Sequence, residues 1–345
     1  MDRPRSLPRI VAVGTAVPRQ RYSQQQLLEM AGRDRTRETF FLNSDIDYRH
    51  LYFEPGFTGQ ETIDEMLARA RQGAAELGVE AIRQCLERAG ADTSAVDFLT
   101  TATCTVTLCP HLDTVFMRDL QLSPSVQRAH IGDTGCAAAM VTLQAAWNHL
   151  RAFPDHHALA VATELCSAAY YRDGSVESIV GEAIFGDGSG ALYLTCSGTG
   201  FEVVANKTLI RTEHMGLTGF QFPGGWRRLV LSKDLPAVGA VVLEELVGSL
   251  LEEQGLKKSD IRFWILHSAG RKVLDRAKER LGLSEQDLCY CRDVFRRYGN
   301  MSSATVLFVL DQVMSSGLPR PGDLAVMAAM GAGFAAETAL LRWVE

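Results

Sequence analysis

The sequence predicts a layered α/β protein made of two similar halves, and three observations lead there. Short runs at residues 96–103, 158–164 and 261–266, mostly of apolar and β-forming residues, read as strands buried on both faces, the kind found in parallel sheets. Longer windows with helical spacing separate them, so strands alternate with helices. A similar element order then recurs later in the chain without any short-period repeat, as an old duplication leaves it. The expected halves are residues 1–200 and 201–345.

Each element has a local cause. Residues 10–13 form a buried strand ended by Gly14 and Pro18; the run is too short for a signal peptide. Tyr22-Ser23 caps a short helix through Met30. Residues 39–53 are mixed, with Arg49 and His50 beside aromatic residues, and residues 56–59 read as a loop. Apolar stripes run through a helix at 61–89 that Gly90 stops, and a further helix is expected at 110–122. A strand leading to Asp133 turns at Gly135 and enters an Ala-rich helix at 137–150. Leu192, Tyr193 and Leu194 belong to a strand that follows a glycine-dense turn. The second half offers helices at 243–251, 273–281 and 301–314, then closing strands at 325–330 and 337–343 around Gly331-Ala332-Gly333.

Composition excludes several classes. The 345 residues are 46% hydrophobic and 22% charged, an ordinary globular balance with length for a large core. A net charge of -6 gives no general attraction to nucleic acid or to an anionic membrane. The eight cysteines are scattered without a CxxC pair, which points to a reducing compartment and away from a metal site. No apolar run is long enough to span a bilayer, so a cytoplasmic enzyme is expected.

Three residues carry chemical promise. Cys136 falls where a helix begins, and free N–H groups with the helix dipole favour a thiolate nucleophile there; the plain alternative is a buried small hydrophobe. His267 ends a buried strand, where an α/β sheet forms its ligand crevice. Asn300, in Tyr298-Gly299-Asn300-Met301-Ser302-Ser303, precedes an apolar helix and also suits a simple cap. Phe185-Gly186-Asp187-Gly188-Ser189-Gly190 lacks the lysine of a phosphate loop and runs into a strand, so tight backbone packing beside a site explains it better.

Together these pieces resemble the type III polyketide synthases of the chalcone synthase kind, within the thiolase-fold condensing enzymes. The carriers are Gly135-Cys136, the string from Val180 to Gly188, His267-Ser268-Ala269-Gly270, the string from Tyr298 to Ala304, and Gly331-Ala332-Gly333-Phe334 with Glu337-Thr338. Their order and spacing match over essentially the whole chain. The resemblance implies a thiolase-like five-layered αβαβα fold, a homodimer, and a buried Cys136-His267-Asn300 site. Cys136 would accept an acyl group from an acyl-CoA starter, while His267 and Asn300 bind the thioester carbonyl of malonyl-CoA and stabilise its enolate. His267 would help keep Cys136 ionised, and a second oxyanion pocket would use the Cys136 N–H with one from the Gly331–Gly333 turn. Coenzyme A thioesters are substrates, and neither a cofactor nor a metal is expected.

The resemblance also implies contacts around this centre. Phe185 matches a gatekeeper between the coenzyme A tunnel and the cavity, and Leu229 stands where a second, aromatic gatekeeper is usual. Cys104 lines the cavity as in bacterial tetrahydroxynaphthalene synthases, which prime with malonyl-CoA. Ser302, Gly331 and Gly333 complete the substrate side, and Arg49 and Lys272, with Arg271 as an alternative, would hold the coenzyme A phosphates. The usual His-Pro-Gly-Gly is His267-Ser268-Ala269-Gly270 here, and the usual proline is missing from Met330-Gly331-Ala332-Gly333-Phe334. These departures keep open a ketoacyl synthase III-like enzyme that makes one condensation, or transfers or joins acyl chains on a carrier protein. A catalytically silent binding homologue is a further alternative, against which retention of all three site residues argues.

Overall fold

The computed structural model describes residues 6–53, 61–170, 172–225 and 227–345. The loop expected at 56–59 lies outside the described residues. The chain opens with β1 (Arg9–Ala16), β2 (Arg21–Ser23), α1 (Gln24–Ala31), α2 (Arg35–Leu42) and β3 (Tyr48–His50). It continues with α3 (Ile63–Ala89), β4 (Phe98–Thr103), α4 (Leu112–Asp119), β5 (Gln127–Gly132) and α5 (Ala138–Ala152). Then come β6 (Ala158–Leu165), α6 (Val176–Ile184), β7 (Asp187–Thr195), β8 (Gly200–Ile210), β9 (Thr218–Gln221) and β10 (Arg228–Leu231). The last elements are α7 (Leu235–Glu253), β11 (Ile261–Leu266), α8 (Arg271–Leu281), α9 (Cys289–Tyr298), α10 (Thr305–Ser315), β12 (Leu324–Gly331) and β13 (Ala335–Val344).

The caps explain where helices start and stop. Ser23 and Thr62 each form a reciprocal capping box at the heads of α1 and α3, and Gly90 ends α3 in the left-handed region. The expected helix at 301–314 starts later than its apolar pattern suggests: Ser302–Ala304 form a 3-10 turn, and α10 begins at Thr305. Leu112–Asp119 likewise occupies only the middle of the helix expected at 110–122.

Among the described residues nine strands form one sheet, in the order β11-β12-β13-β8-β1-β7-β6-β4-β5. The pairs β4–β5, β4–β6 and β11–β12 are parallel, whereas β7 and β13 run antiparallel to their neighbours. The sheet is therefore mixed, and burial on both faces, not parallel pairing, makes strands such as β6 and β12 largely apolar. The two halves of the sheet meet at β1–β8 through only two residue pairs, Arg9–Glu202 and Ile10–Phe201.

Five layers follow from what packs on what. α3 covers the outer face of β1, β6 and β7, and α7, with α8 packed beside it, covers the outer side of β8, β12 and β13. α5 and α10 lie between the two sheet halves and share one core with both. This is the thiolase-like αβαβα arrangement. The residues leading into the inner helices, Cys136 and Asn300 to Ser302, are thereby brought to the middle of the molecule.

Candidate active site

Cys136 sits in a 3-10 turn, Gly135–Ala137, between β5 and α5. Gly135 has φ +64°, and a Cβ there would fall 2.8 Å from the Ala332 nitrogen. At Gly331 a Cβ would fall 2.4 Å from the Thr134 oxygen and 2.8 Å from the Ala137 nitrogen. The turn between β12 and β13 is thus pressed directly onto the turn that carries the sulfur.

The glycines ahead of β7 serve the same end. A Cβ at Gly186 would fall 2.4 Å from the Tyr298 oxygen, and one at Gly188 would fall 2.6 Å from the Met301 sulfur. They let the Asn300 segment lie against the sheet, where Gly186 N–H donates to the Asn300 carbonyl at 2.9 Å. The glycine-dense string is packing, as its lack of a phosphate-loop lysine suggests.

A line of polar groups runs from the sulfur to a buried carboxylate. Cys136 Sγ lies 3.4 Å from Ser302 Oγ, which lies 3.0 Å from Cys104 Sγ. Cys104 donates to Glu164 through Sγ at 3.3 Å and through its N–H at 3.1 Å. Thr105 Oγ1 donates to Glu164 at 2.6 Å, and Ser303 Oγ donates to it as well. Ser302 has φ +50°, a region serine rarely visits, and its N–H donates to Asn300 Oδ1 at 2.8 Å.

Asn300 Nδ2 donates to the Ala269 carbonyl at 3.2 Å, which ties it to the loop just past His267. His267 is buried, its main-chain N–H donates to the Ala328 carbonyl, and among the described residues neither ring nitrogen has a hydrogen-bond partner. One cavity of about 90 Å³ is lined by Cys136, Asn300, Ser302, Cys104, Phe185, Leu229, Gly331 and Ala332. His267 does not line it; the imidazole borders a small recess that shares Val273 and Met330 with the cavity wall. Cys136 and Asn300 are therefore brought together, and His267 stands behind the wall beside them. Gly333 does not line the cavity either, but with φ +126° it makes the turn that presents Gly331 and Ala332.

Burial dominates the electrostatics. It pushes the Cys136 thiol up to about 11, with the Glu164 carboxylate adding to the rise and the Ser302 hydroxyl opposing it. It pulls His267 down to about 4. Both shifts run against the expected thiolate and favour a thiol and a neutral imidazole in the free chain. The helix head begins as a short 3-10 turn, and no imidazolium touches the sulfur, so neither offsets desolvation. Burial also raises Glu164, although hydroxyl, thiol and N–H donors converge on it.

The coenzyme A contacts need a second correction. Arg49 is 1% exposed, and its Nε and Nη1 donate to Gln24 Oε1 at 2.9 Å and the Phe185 carbonyl at 2.8 Å. It is an internal cation beneath Phe185, not a surface clamp for phosphates. Lys272 is exposed in the first turn of α8, and Arg271 beside it lies 3.5 Å from Asp45. The sequence reading passed over Glu164, Cys166 and Tyr170, of which the last two line the cavity. Glu164 had a signal: a carboxylate within an otherwise apolar, wholly buried strand needs a reason.

The comparisons with known proteins agree with this geometry. A model of FAE1/type III polyketide synthase-like proteins matches residues 50–214, and the 3-oxoacyl-[acyl-carrier-protein] synthase III C-terminal model matches residues 251–343. The chain is 34% identical to a 3,5-dihydroxyphenylacetyl-CoA synthase of Streptomyces toyocaensis, over 97% of this chain and 90% of the relative. It is 31% identical to a 1,3,6,8-tetrahydroxynaphthalene synthase of Streptomyces peucetius subsp. caesius, over 97% and 93%. Its structure matches PKS-I from the brown alga Ectocarpus siliculosus with a TM-score of 0.92 at 26% identity, covering 100% of both chains. 1,3,6,8-Tetrahydroxynaphthalene synthase from Streptomyces coelicolor A3(2) matches with a TM-score of 0.90 at 25% identity, over 98% and 99%. With relatives of that identity aligned along nearly its full length, this chain belongs to the type III polyketide synthases, acyltransferases that extend an acyl starter by decarboxylative condensation with malonyl-CoA.

Proposed function

We propose that Cys136 is the acyl carrier, that Asn300 and His267 bind the malonyl thioester carbonyl, and that His267 handles the proton. In loading, Cys136 Sγ attacks the starter's carbonyl, its proton passes to the imidazole, and the bond to the coenzyme A sulfur breaks. In extension, malonyl-CoA loses carbon dioxide and leaves an enolate. Its oxygen takes hydrogen bonds from Asn300 Nδ2 and an N–H of His267, and its carbon attacks the acyl carbonyl on Cys136, whose bond to Sγ breaks: the lengthened chain leaves on coenzyme A, and the freed thiolate takes up a proton. Donors fixed in a dry site help most where charge develops. The observation that carries this reading is the shared cavity of Cys136 and Asn300, beside a buried imidazole with both nitrogens free. The main chain of Gly331 and Ala332 lies over the sulfur turn and supplies the second oxyanion pocket.

Intact-mass analysis after incubation with acyl-CoA tests the carrier. An acyl adduct on the wild-type chain that disappears in Cys136→Ala is expected; a persistent adduct refutes the assignment. Counting malonyl units in the product separates iterative extension from the single condensation suggested by the synthase III match at 251–343.

The reading extends to assembly and setting. β5 ends the sheet with one side unpaired by any described strand, and pairing with the same strand of a second copy would make a homodimer. Light scattering decides this by mass. The halves, 1–200 and 201–345, act as one unit because each supplies part of the cavity. No helix among the described residues is long and apolar enough to cross a membrane, and the eight cysteines are free. A cytoplasmic, reducing setting suits those thiols. Thioester exchange and decarboxylation ask for no cofactor beyond the coenzyme A esters, and purified protein stripped with chelator should retain its activity.

A further inference from the structure

Among the described residues, four other than glycine hold a positive φ. Asp45, Gln121 and Asp133 are exposed; Ser302, at +50°, is buried. Glycine occupies that region freely and aspartate tolerates it through local hydrogen bonds, but serine rarely enters it. A strained residue persists only where its surroundings hold it. Part of the hold is main chain: the Ser302 N–H donates to Asn300 Oδ1 at 2.8 Å, and the Met301 N–H donates to Thr305 Oγ1 at 2.9 Å. A glycine would make the first of these bonds equally well, so the hydroxyl needs a reason of its own.

That reason lies in what the hydroxyl touches. Ser302 Oγ is 3.4 Å from Cys136 Sγ and 3.0 Å from Cys104 Sγ. A hydroxyl has one proton to give, and two sulfurs compete for it. Cys104 directs its own S–H to Glu164 Oε1 at 3.3 Å, so toward Ser302 it offers only a lone pair. The resting order of donation is therefore Cys136 to Ser302, Ser302 to Cys104, and Cys104 to Glu164. Ionisation of Cys136 reverses the first link. A thiol sulfur is a weak acceptor, whereas a hydrogen bond to an ion is about twice as strong as one between neutral groups. Beyond burial, Ser302 is the side chain that favours ionisation of this thiol, and Glu164 opposes it.

Building on the proposed role of Cys136, we infer that Ser302 is a further catalytic residue whose hydroxyl swings between the two sulfurs. It donates to Cys104 while Cys136 is a thiol or a thioester, and to Cys136 Sγ while that atom carries charge. The proton that Cys136 loses in loading still goes to the imidazole. Ser302 keeps its own proton, and no covalent bond to its oxygen forms or breaks. The same swing serves the return step, when the thioester opens and Sγ leaves as a thiolate. Cys104, held by Glu164, is the resting acceptor: it aims the hydroxyl without binding it firmly enough to resist the turn.

Alkylation of Cys136 by iodoacetamide at pH 9, followed by peptide mass, tests this without any acyl substrate. Ser302→Ala and Ser302→Gly should each slow it about tenfold, and should slow acylation by acyl-CoA alongside. Ser302→Gly should melt within a few degrees of wild type, because glycine takes this φ without strain. Cys104→Ala, which removes the resting acceptor, should quicken alkylation about threefold. Rates within about twofold of wild type in both Ser302 variants overturn the inference. So does a faster rate in either, which would make the hydroxyl a shield. A slow Ser302→Ala beside a normal Ser302→Gly overturns it too, by assigning the effect to backbone strain. Slower alkylation in Cys104→Ala refutes the swing. Incubation with acyl-CoA keeps the two readings apart: a wild-type chain that forms no acyl adduct sinks Cys136 as the carrier, while the iodoacetamide rates still decide the role of Ser302.

Discussion

Glu164 and His267 are both buried and ionisable, one linked to the sulfur through hydrogen bonds and the other behind the cavity wall, and their surroundings are opposite. Glu164 accepts from Thr105, Ser303 and two groups of Cys104, and through Cys104 and Ser302 its hydrogen bonds reach Cys136. His267 has no partner among the described residues at either ring nitrogen. A saturated group is finished structure, and its network fixes where the thiol points. An unsaturated one carries a standing desolvation cost that only a ligand or a proton relieves. The difference suits Glu164 to positioning and, on the proposed mechanism, leaves His267 open for chemistry.

This contrast can be broken most sharply at the open side. Asn300→Ala should lower malonyl-CoA decarboxylation by about 10²–10³-fold while acylation of Cys136 survives, because one enolate donor is lost. Carbon dioxide release from labelled malonyl-CoA measures it, and an unchanged rate would assign the enolate elsewhere. Next in size is thiol reactivity. With Cys136 near 11, iodoacetamide should label it about 10²-fold more slowly at pH 7 than an ordinary thiol, and the rate should climb past pH 9. A plateau below pH 8 would mean a thiolate and an imidazolium partner after all.

The difference in pH-dependent stability between wild type and a His267 variant isolates His267. Its folded value of about 4 lies below the ordinary 6.5, so its contribution is complete above pH 6.5 and drains away as pH falls toward 4. The full span is about 3 kcal/mol. Urea denaturation at pH 7.5 and 4.5 should show a smaller acid loss in His267→Gln than in wild type. The least effect is expected at the saturated side. Glu164→Gln retains shape but leaves donors mismatched, and should cost about 1–2 kcal/mol of stability with a slower Cys136 acylation. A variant as stable and as fast as wild type would reduce Glu164 to filler.

Much of this was legible in the residues. The strands at β4, β6 and β11 announced themselves because both faces are buried, and the caps at Ser23, Thr62 and Gly90 wrote the helix ends. Cys136 and Asn300 were legible because each stands just ahead of an apolar helix; that Gly135, Gly186 and Gly331 let main chains come within touching distance there is the structure's addition. What stayed hidden depends on neighbours distant in sequence. α2, α6 and α9 are short, and α2 and α9 have few buried positions for a periodic pattern to register. The ionisation of Cys136 turned on desolvation, which a helix-start argument does not contain. Arg49 looked like a surface cation because charged residues usually are; its burial comes from Gln24 and Phe185, 25 and 136 positions away.

The facing pair Gly135 and Gly331 constrains how such enzymes recombine. Each belongs to a different half, and a methyl group on either would strike the other half's backbone. A hybrid spliced near residue 200 from two parents takes the sulfur's loop from one and its lid from the other. Exchange therefore succeeds only between parents whose loops already fit hydrogen-for-hydrogen at that seam, and breeding new product ranges by domain shuffling should favour crossovers that keep both glycines from a single ancestor.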